Sequence, residues 1–355
     1  MQKTLWVVLL CAIGVSAPAQ TWQFAVSGDS RNCGDVVMPA IAGSVAATKA
    51  QFYWHLGDFR RIYDFDEDMQ AVKPSNILDY ENAAWPDFIA QQMTPFTTQV
   101  FLAIGNHDVM QPKTQPQWLA QFADWLTQPE IVAQRLKDDP TDHLLKSYYH
   151  WIRRGVDFIS VDNASYAFDG PQLKWIEQRI DADMKDSSIK TIVLGGHAAL
   201  PHSLSCDHSM NQTAAGEQSG VEVYKKLLAA SKGGKKIYLL ASHSHFLQTN
   251  IFDTDYWRNN GGVLPGWVVG TAGAVRYRLP DPSQGRTDVY GYLLATVSPD
   301  GSIQFDFKEI QRDAIPAATV TRYGAKLVDW CFVENRDMHQ PKPANCEKNV
   351  PCAMP

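Results

Sequence analysis

The sequence has no excess of positive charge, no internal repeat and no low-complexity run. Its 32 lysines and arginines are outnumbered by 38 aspartates and glutamates, so the net charge is −6 and a basic footprint for nucleic acid is absent. Beyond the N-terminus no stretch is apolar enough to cross a membrane. With 45% hydrophobic and 20% charged residues, the 355-residue chain suits one large globular domain, or one domain with additions.

The N-terminus has the pattern of an export signal. Lys3 precedes an apolar run over residues 5–15, which is too short to span a bilayer, and Ala17-Pro18-Ala19 follows it. This pattern predicts a signal peptide over residues 1–19, with an N-terminal anchor as the alternative. We therefore expect an exported protein, periplasmic or secreted, with no membrane span once the signal is removed.

Removal of the signal takes away one of the six cysteines and leaves five. An exported chain can form disulfides, but an odd number leaves at least one thiol free or paired outside the chain. Three cysteines cluster near the C-terminus, and a link between two of them is the simplest expectation: Cys331, Cys346 and Cys352. The other two, Cys33 and Cys206, lie near the polar strand ends described next.

Polar side chains follow short apolar runs at five places in the chain. A predicted strand over residues 22–27 is followed by Asp29, and a second over residues 52–56 is followed by Asp58. A helix over about residues 35–49 connects the two strands, because its apolar residues recur at helical spacing. A strand–helix–strand unit predicts parallel strands, and ligands gather at the carboxyl edge of such a sheet.

The later strand ends carry an amide and several imidazoles. In "FLAIGNHDVM", Asn106 and His107 follow a predicted strand. His197 follows the strand in "IKTIVLGGHAAL". In "KKIYLLASHSHF", the predicted strand ends at His243 and His245. Two histidines separated by one residue point the same way, which suits two adjacent ions. One histidine alone is more often a packed core residue than a ligand, but six metal-competent residues at five strand ends are hard to explain as packing. A set without thiolate suits Mn, Fe, Zn or Ni.

The order of these motifs resembles that of the calcineurin-like metallophosphoesterases. Gly-Asp, Gly-Asp, Gly-Asn-His-Asp, Gly-His and His-x-His follow one another between about residues 22 and 306, and the ordered set is more specific than any single motif. The resemblance implies an α/β fold, a four-layer αββα sandwich with metals at the carboxyl ends of its strands. It also implies hydrolysis of phosphomonoesters or phosphodiesters, so the expected partner is a small-molecule or exposed phosphate ester.

By this resemblance Asp58 bridges two divalent or trivalent transition-metal ions. The other ligands divide into two sets, Asp29 with His245 and Asn106 with His197 and His243. Two such ions polarise the phosphate oxygens and lower the pKa of a shared water, which then attacks as hydroxide. A protonated His107 beside the leaving group acts as the general acid.

The first motif departs from the family pattern. Relatives often have Asp-x-His there, whereas this chain has Asp29-Ser30-Arg31, and an arginine cannot be a metal ligand. Arg31 is therefore predicted either to grip the substrate phosphate in a bidentate manner or to form a surface salt bridge. The alternative to an enzyme is a catalytically weak or inactive binding protein of the same fold with a degenerate first metal site.

The second motif departs as well. Arg61 lies where some relatives have an Asp that orients the catalytic histidine, and the Tyr ligand that purple acid phosphatases carry at this spacing is also missing. The partner that orients His107 is therefore unassigned, with Asp108 and Asp64 as the candidates.

The motif set defines the expected domain. A metallophosphoesterase domain is predicted over residues 20–315, with insertions near 62–93 and 111–150, and a Cys-containing C-terminal tail over residues 316–355. The acidic run "DFDED" in the first insertion is expected to form a solvated face rather than a second metal site. Both insertions lie beside the expected active edge and are candidates for setting substrate specificity.

Overall fold

The computed structural model describes residues 20–205, 208–278 and 285–337. The predicted signal peptide over residues 1–19 lies outside these residues, as do Cys206, Cys346 and Cys352.

The described residues form twelve strands and eleven α-helices. The strands are β1 (Trp22–Ser27), β2 (Ala50–His55), β3 (Gln99–Leu102), β4 (Tyr149–Arg153), β5 (Val156–Ser160), β6 (Thr191–Gly195), β7 (Lys236–Ala241), β8 (Leu247–Thr249), β9 (Gly266–Val269), β10 (Gly285–Arg286), β11 (Gly291–Val297) and β12 (Ile303–Glu309). The helices are α1 (Gly34–Ala46), α2 (Glu67–Val72), α3 (Ile77–Asp87), α4 (Gln115–Gln121), α5 (Ala123–Leu126), α6 (Pro129–Asp138), α7 (Gly170–Lys185), α8 (Ala214–Lys232), α9 (Asp255–Asn259), α10 (Ala317–Tyr323) and α11 (Ala325–Val333). None of the described helices is long and apolar enough to span a bilayer.

The strands form two sheets. One has five strands in the order β12-β11-β1-β2-β3, and the other has seven in the order β10-β8-β9-β7-β6-β5-β4. Strands β1, β2 and β3 run parallel, as do β5, β6, β7 and β9, while the outer strands add antiparallel pairs. The carboxyl ends of the parallel strands therefore form one edge in each sheet, as the sequence predicts.

Aromatic side chains fill the space between the two sheets. Phe24 and Phe52 project from the five-stranded sheet, and their rings lie 5.1 and 5.2 Å from that of Phe158 in the other sheet. Helix α1 contacts β2 on one outer side and α8 contacts β7 on the other. Because both faces of each sheet are covered, the central strands are almost wholly buried. The predicted four-layer αββα architecture is confirmed.

The first insertion is built around a buried arginine, so the expectation of a solvated face over "DFDED" is wrong for Asp66 and Asp68. The Arg60 guanidinium lies 2.5 Å from Asp35 and 3.1 Å from Asp68, and both of these carboxylates are fully buried. Asp66 is also buried and accepts a hydrogen bond from the Tyr80 hydroxyl at 2.7 Å. A buried guanidinium requires carboxylate partners, and the acidic run supplies them.

The C-terminal part of the described chain packs against α1. The Tyr323 hydroxyl in α10 donates to Asp35 Oδ2 at 3.0 Å. Cys331 in α11 forms a disulfide with Cys33, 298 residues earlier, rather than with a cysteine of the tail. The disulfide attaches the loop between β1 and α1 to the C-terminal helices.

The second insertion, which includes α4, α5 and α6, ends at a buried histidine. His150 Nδ1 lies 2.9 Å from Asp157 and its Nε2 lies 2.5 Å from Asp138. Burial by itself lowers the pKa of this imidazole, but Asp157 and Asp138 outweigh burial and raise the pKa to about 9. The protonated ring therefore stabilises the fold, fully below pH 6.5 and progressively less as the pH rises to about 9.

We expect the contribution of His150 to the free energy of unfolding to fall by up to about 3 kcal/mol between pH 6.5 and 9, since each pKa unit is worth about 1.4 kcal/mol. His150→Gln should remove the His150 share of this dependence, so the stability difference between wild type and variant should shrink from pH 6.5 to 9 when both are measured by denaturant unfolding. His143→Gln, at an exposed histidine of the same insertion, is the matched control. A stability difference between wild type and His150→Gln that does not change with pH would contradict the assignment.

Candidate metal centre

Three candidate ligands lie in the left-handed backbone region in the loops that follow their strands. The φ angles are 60° at Asp29, 60° at Asp58 and 66° at His243. Such conformations in residues other than glycine cost about 1–3 kcal/mol each and are found mainly at functional sites. Hydrogen bonds between the loops maintain them, including the Asp29 amide to the Gly57 carbonyl at 3.0 Å.

The turn that carries Asn106 packs directly on the Asp58 loop. A Cβ atom on Gly105 would overlap the Asp58 amide and carboxylate, so only glycine allows this approach. The Asp108 carboxylate accepts the amides of Asp58 at 2.9 Å, Phe59 at 2.8 Å and Gly105 at 2.8 Å. Asp108 therefore joins the two loops, and among the described residues no hydrogen bond or ion pair links its carboxylate to the His107 ring.

Donor atoms of four candidate ligands converge at this edge. His197 Nε2 lies 2.9 Å from Asn106 Oδ1, 3.0 Å from His243 Nδ1 and 3.3 Å from Asp58 Oδ1. Ligand atoms about 2.1 Å from a common ion lie about 3 Å apart, so this spacing fits a metal ion. Among the described residues, Asp58, His197 and His243 form the one close group of acidic, histidine and cysteine donors.

The surroundings of His197 direct its Nε2 atom toward the site. Its Nδ1 donates to the Leu56 carbonyl at 3.0 Å, which leaves Nε2 for the cluster. The Asn163 Oδ1 accepts the backbone amides of His197 at 2.9 Å and Ala198 at 3.1 Å. Asn163 follows β5, a position from which the sequence predicts a polar pocket residue, and it holds the loop that carries His197.

The buried charges of the cluster compensate one another. Burial raises the pKa of the Asp58 carboxyl, but His197 and then His107 and Arg31 outweigh it, so the pKa is lowered and Asp58 is ionised. Burial likewise lowers the pKa of His197, and Asp58 reverses this to about 9. A cation bound at Asp58 would supply the positive charge that His197 supplies here.

The other predicted ligand set lies beside this cluster. Asp29 Oδ2 accepts the His243 amide at 2.6 Å and the Ser242 hydroxyl, while Asp29 Oδ1 is buried without a hydrogen-bond partner. His245 Nδ1 donates to the Val275 carbonyl at 2.7 Å, and its Nε2 lies 3.3 Å from Asp29 Oδ1. Ser242, immediately before the His-x-His motif, thus orients one predicted ligand.

The Arg31 guanidinium extends into this second set. It is 7% exposed, donates to His245 Nε2 at 2.8 Å and to His107 Nε2, and its Nε lies 3.6 Å from Asp58 Oδ2. This burial excludes the surface salt bridge that the sequence left open. Arg31 instead bonds to two site histidines and faces the bridging carboxylate.

His107 is oriented by a backbone carbonyl. Its Nδ1 donates to the Arg61 carbonyl at 3.1 Å, and its ring lies 5.2 Å from that of Tyr63. Asp64, the other candidate partner, pairs with the Arg61 side chain at 3.2 Å. Burial, followed by the charge of Arg31, lowers the pKa of His107 to about 4, so the ring is neutral near neutral pH.

Several aromatic rings around the site lie outside the predicted motifs. Tyr277 stacks on His245 with ring centroids 4.1 Å apart, and Tyr166 and His208 lie 5.3 and 5.0 Å from the ring of His243. Tyr166 and Tyr277 come from loops with no recognisable spacing, so only the tertiary structure identifies them. His208 follows the His197 strand, a position from which the sequence predicts a loop that lines the pocket.

Comparison with known proteins supports a fold assignment. No family model matches the sequence, and no curated protein matches it. Among solved structures, purple acid phosphatase PPD1 from yellow lupin (Lupinus luteus) seeds is similar with a TM-score of 0.53 and 15% identity, over 82% of this chain and 52% of that one. PhoD is similar with a TM-score of 0.50 and 12% identity, over 83% of this chain and 72% of that one.

This chain therefore spans about half the length of the lupin phosphatase structure. Both neighbours are calcineurin-like metallophosphoesterases. Their low identity to this chain makes the fold, rather than the sequence, the basis of the likeness. Together with the order of the motifs along the strands, it shows that the chain has the fold of the calcineurin-like metallophosphoesterases.

Proposed function

We propose that the chain is a metal-dependent phosphoesterase that hydrolyses phosphomonoesters or phosphodiesters. The observation that carries the proposal is the convergence of one carboxylate, one amide and two imidazoles at the sheet edge, with donor atoms 2.9–3.3 Å apart. This is the ligand set expected of Mn, Fe, Zn or Ni, and packing alone does not require it. The substrate is a small-molecule or exposed phosphate ester.

The residues of the cluster have separate tasks in the proposed reaction. Asp58, Asn106, His197 and His243 would hold the cation, which would supply Lewis-acid chemistry toward the phosphate and lower the pKa of a water at the site. Asp58 supplies the negative charge, and the His107 amide fixes one of its oxygens at 2.9 Å. The Leu56 carbonyl holds the ring of His197 in one orientation. The ligands are thus oriented before substrate arrives.

His107 is the proposed proton donor to the leaving group. Because Nδ1 is held by the Arg61 carbonyl, Nε2 is the atom that exchanges a proton with substrate. Arg31 donates to Nε2 in this structure, so the ring must exchange that contact for a proton before it can act. We propose that an anionic phosphate attracts the guanidinium and frees Nε2.

A two-ion mechanism needs a second cation between Asp29, Asp58 and His245. Asp29 Oδ1 and Asp58 Oδ2 are buried without hydrogen-bond partners and are available as ligands. His245 Nε2 already accepts from Arg31. A second ion would therefore compete with Arg31 for this position.

We also propose that the protein is exported, to the periplasm or out of the cell. The support is the signal pattern over residues 1–19 together with the Cys33–Cys331 disulfide, since disulfides persist mainly in oxidising compartments.

The proposal is tested with the chain stripped of metal and reloaded separately with Mn, Fe, Zn or Ni. We expect at least one metal to give turnover of p-nitrophenyl phosphate or of bis(p-nitrophenyl) phosphate, and the ratio of the two rates assigns the mono- or diesterase activity. Bound metal without turnover of either ester, under all four metals, would favour the inactive binding protein instead.

Asp58→Asn should abolish activity and reduce the metal content, because it removes the charged ligand at the centre of the cluster. Turnover and metal per chain are both measured after reloading. Asp124→Asn, at an exposed position, is the matched control and should behave as wild type. Full activity in Asp58→Asn would overturn the assignment.

His107→Ala should lower turnover about a hundredfold or more for esters with poor leaving groups, and much less for p-nitrophenyl esters, because only poor leaving groups need a proton. The metal content should stay unchanged. A plot of rate against leaving-group pKa for both proteins gives the comparison. Equal losses for good and poor leaving groups would argue against a general-acid role.

A further inference from the structure

We propose that the Arg31 guanidinium takes the place of one of two cations, so that the chain works with a single bound metal ion. This inference rests on the proposed function and specifies how its site is charged. The ion binds at the Asp58, His197 and His243 group, and the guanidinium supplies the neighbouring positive charge.

The contacts of Arg31 coincide with those that a second ion would need. One terminal nitrogen donates to His245 Nε2 at 2.8 Å, which removes the only predicted nitrogen ligand of that ion. The guanidinium Nε lies 3.6 Å from Asp58 Oδ2, the carboxylate oxygen that faces away from His197. The other terminal nitrogen donates to His107 Nε2. The Arg31 side chain thus reaches from His245, a predicted ligand of the second ion, to His107, the predicted proton donor.

The backbone around Arg31 is held on several sides, which keeps the guanidinium at this position. The Ser30 amide donates to the Asp58 carbonyl at 3.0 Å, and the Asn32 amide donates to Asp66 Oδ1 at 2.6 Å. The Cys33 amide donates to the Gly273 carbonyl at 3.1 Å, and Cys33 is also bonded covalently to Cys331. A second ion therefore cannot displace Arg31 by moving its loop without breaking these contacts.

The charges that face this space favour one ion over two. Asp29 and Asp58 provide two negative charges, and both are fully buried. One divalent ion and the Arg31 guanidinium, which stays charged in proteins, already exceed that negative charge. A second divalent ion would be placed beside a buried guanidinium, and the further buried carboxyl group described at this edge, Asp108, is already engaged by three backbone amides. Uncompensated buried charge is unfavourable.

A guanidinium can perform one task of the replaced ion. It binds phosphate oxygens through paired N–H groups, so Arg31 is suited to neutralise charge on a phosphate held at the neighbouring metal. It cannot coordinate a water as a metal does. The nucleophilic water must then be activated at the single ion.

The number of bound ions tests the proposal directly, without any variant. The full-length mature chain is stripped of metal, loaded with excess Mn²⁺ and desalted, and manganese per chain is measured by elemental analysis. We expect one ion per chain and an EPR spectrum of isolated Mn²⁺. Two ions per chain with an exchange-coupled spectrum would overturn the inference and leave the proposed phosphoesterase intact.

Variants at Arg31 separate charge from side-chain shape. Arg31→Ala frees His245 Nε2 and removes the positive charge, so we expect manganese per chain to rise from one to two. Arg31→Lys keeps the charge and should hold one ion. Arg278→Ala, at a partly exposed arginine whose side chain pairs with Asp288, is the matched control and should also hold one. A single ion in Arg31→Ala would overturn the inference, because the guanidinium would then not be what excludes the second ion.

Inorganic phosphate provides a second readout. With one equivalent of Mn²⁺ per chain, we expect calorimetry to show phosphate binding to Arg31→Ala at least about tenfold weaker than to wild type, since a charge-assisted hydrogen bond is lost. Equal phosphate affinity would overturn the role of Arg31 as a phosphate-facing cation. A wild-type chain that binds no ion would overturn the proposed function and this inference together.

Discussion

The burial of the Asp58 carboxylate is the constraint on which the rest of the site depends. An ionised carboxylate without contact with water is strongly unfavourable unless positive charge and hydrogen-bond donors surround it. His197, Arg31 and the His107 amide meet this need, and they come from three different loops. The left-handed backbone at Asp58 and the glycine at position 105 bring those loops close enough. The same contacts between the loops therefore set both the geometry and the charge balance at the sheet edge.

Two arginines near Asp58 neutralise buried negative charge in different places. Arg60, two residues beyond Asp58, points away from the site to the carboxylates of Asp35, Asp68 and Asp87, of which the first two are buried, and so attaches the first insertion to the core. Arg31 points into the site and bonds to two of its histidines. The same residue type therefore serves the scaffold in one place and the candidate chemistry in the other. The partners of each side chain, rather than its type, separate the two roles.

The motif order along the chain predicted the sheet edge because parallel strands present their carboxyl ends together whatever their sequence separation. For this reason Asp58, Asn106, His197 and His243 were recognisable before the fold was known. The insertion at residues 62–93 was not, because an acidic run has the same local signature whether it faces solvent or a buried arginine. The partner of His107 was missed for a related reason: the Arg61 carbonyl is a backbone group and leaves no trace in the residue type.

The sequence by itself determined the fold class, the strands that end in polar residues and the set of candidate ligands, since each depends on local pattern and on the rules of parallel sheets. Only the tertiary structure decided which donors meet. Four converge within hydrogen-bonding distances, while the remaining two share their space with Arg31. The direction of a buried arginine side chain depends on the charges that surround it in three dimensions, and those come from loops that lie far apart in the chain.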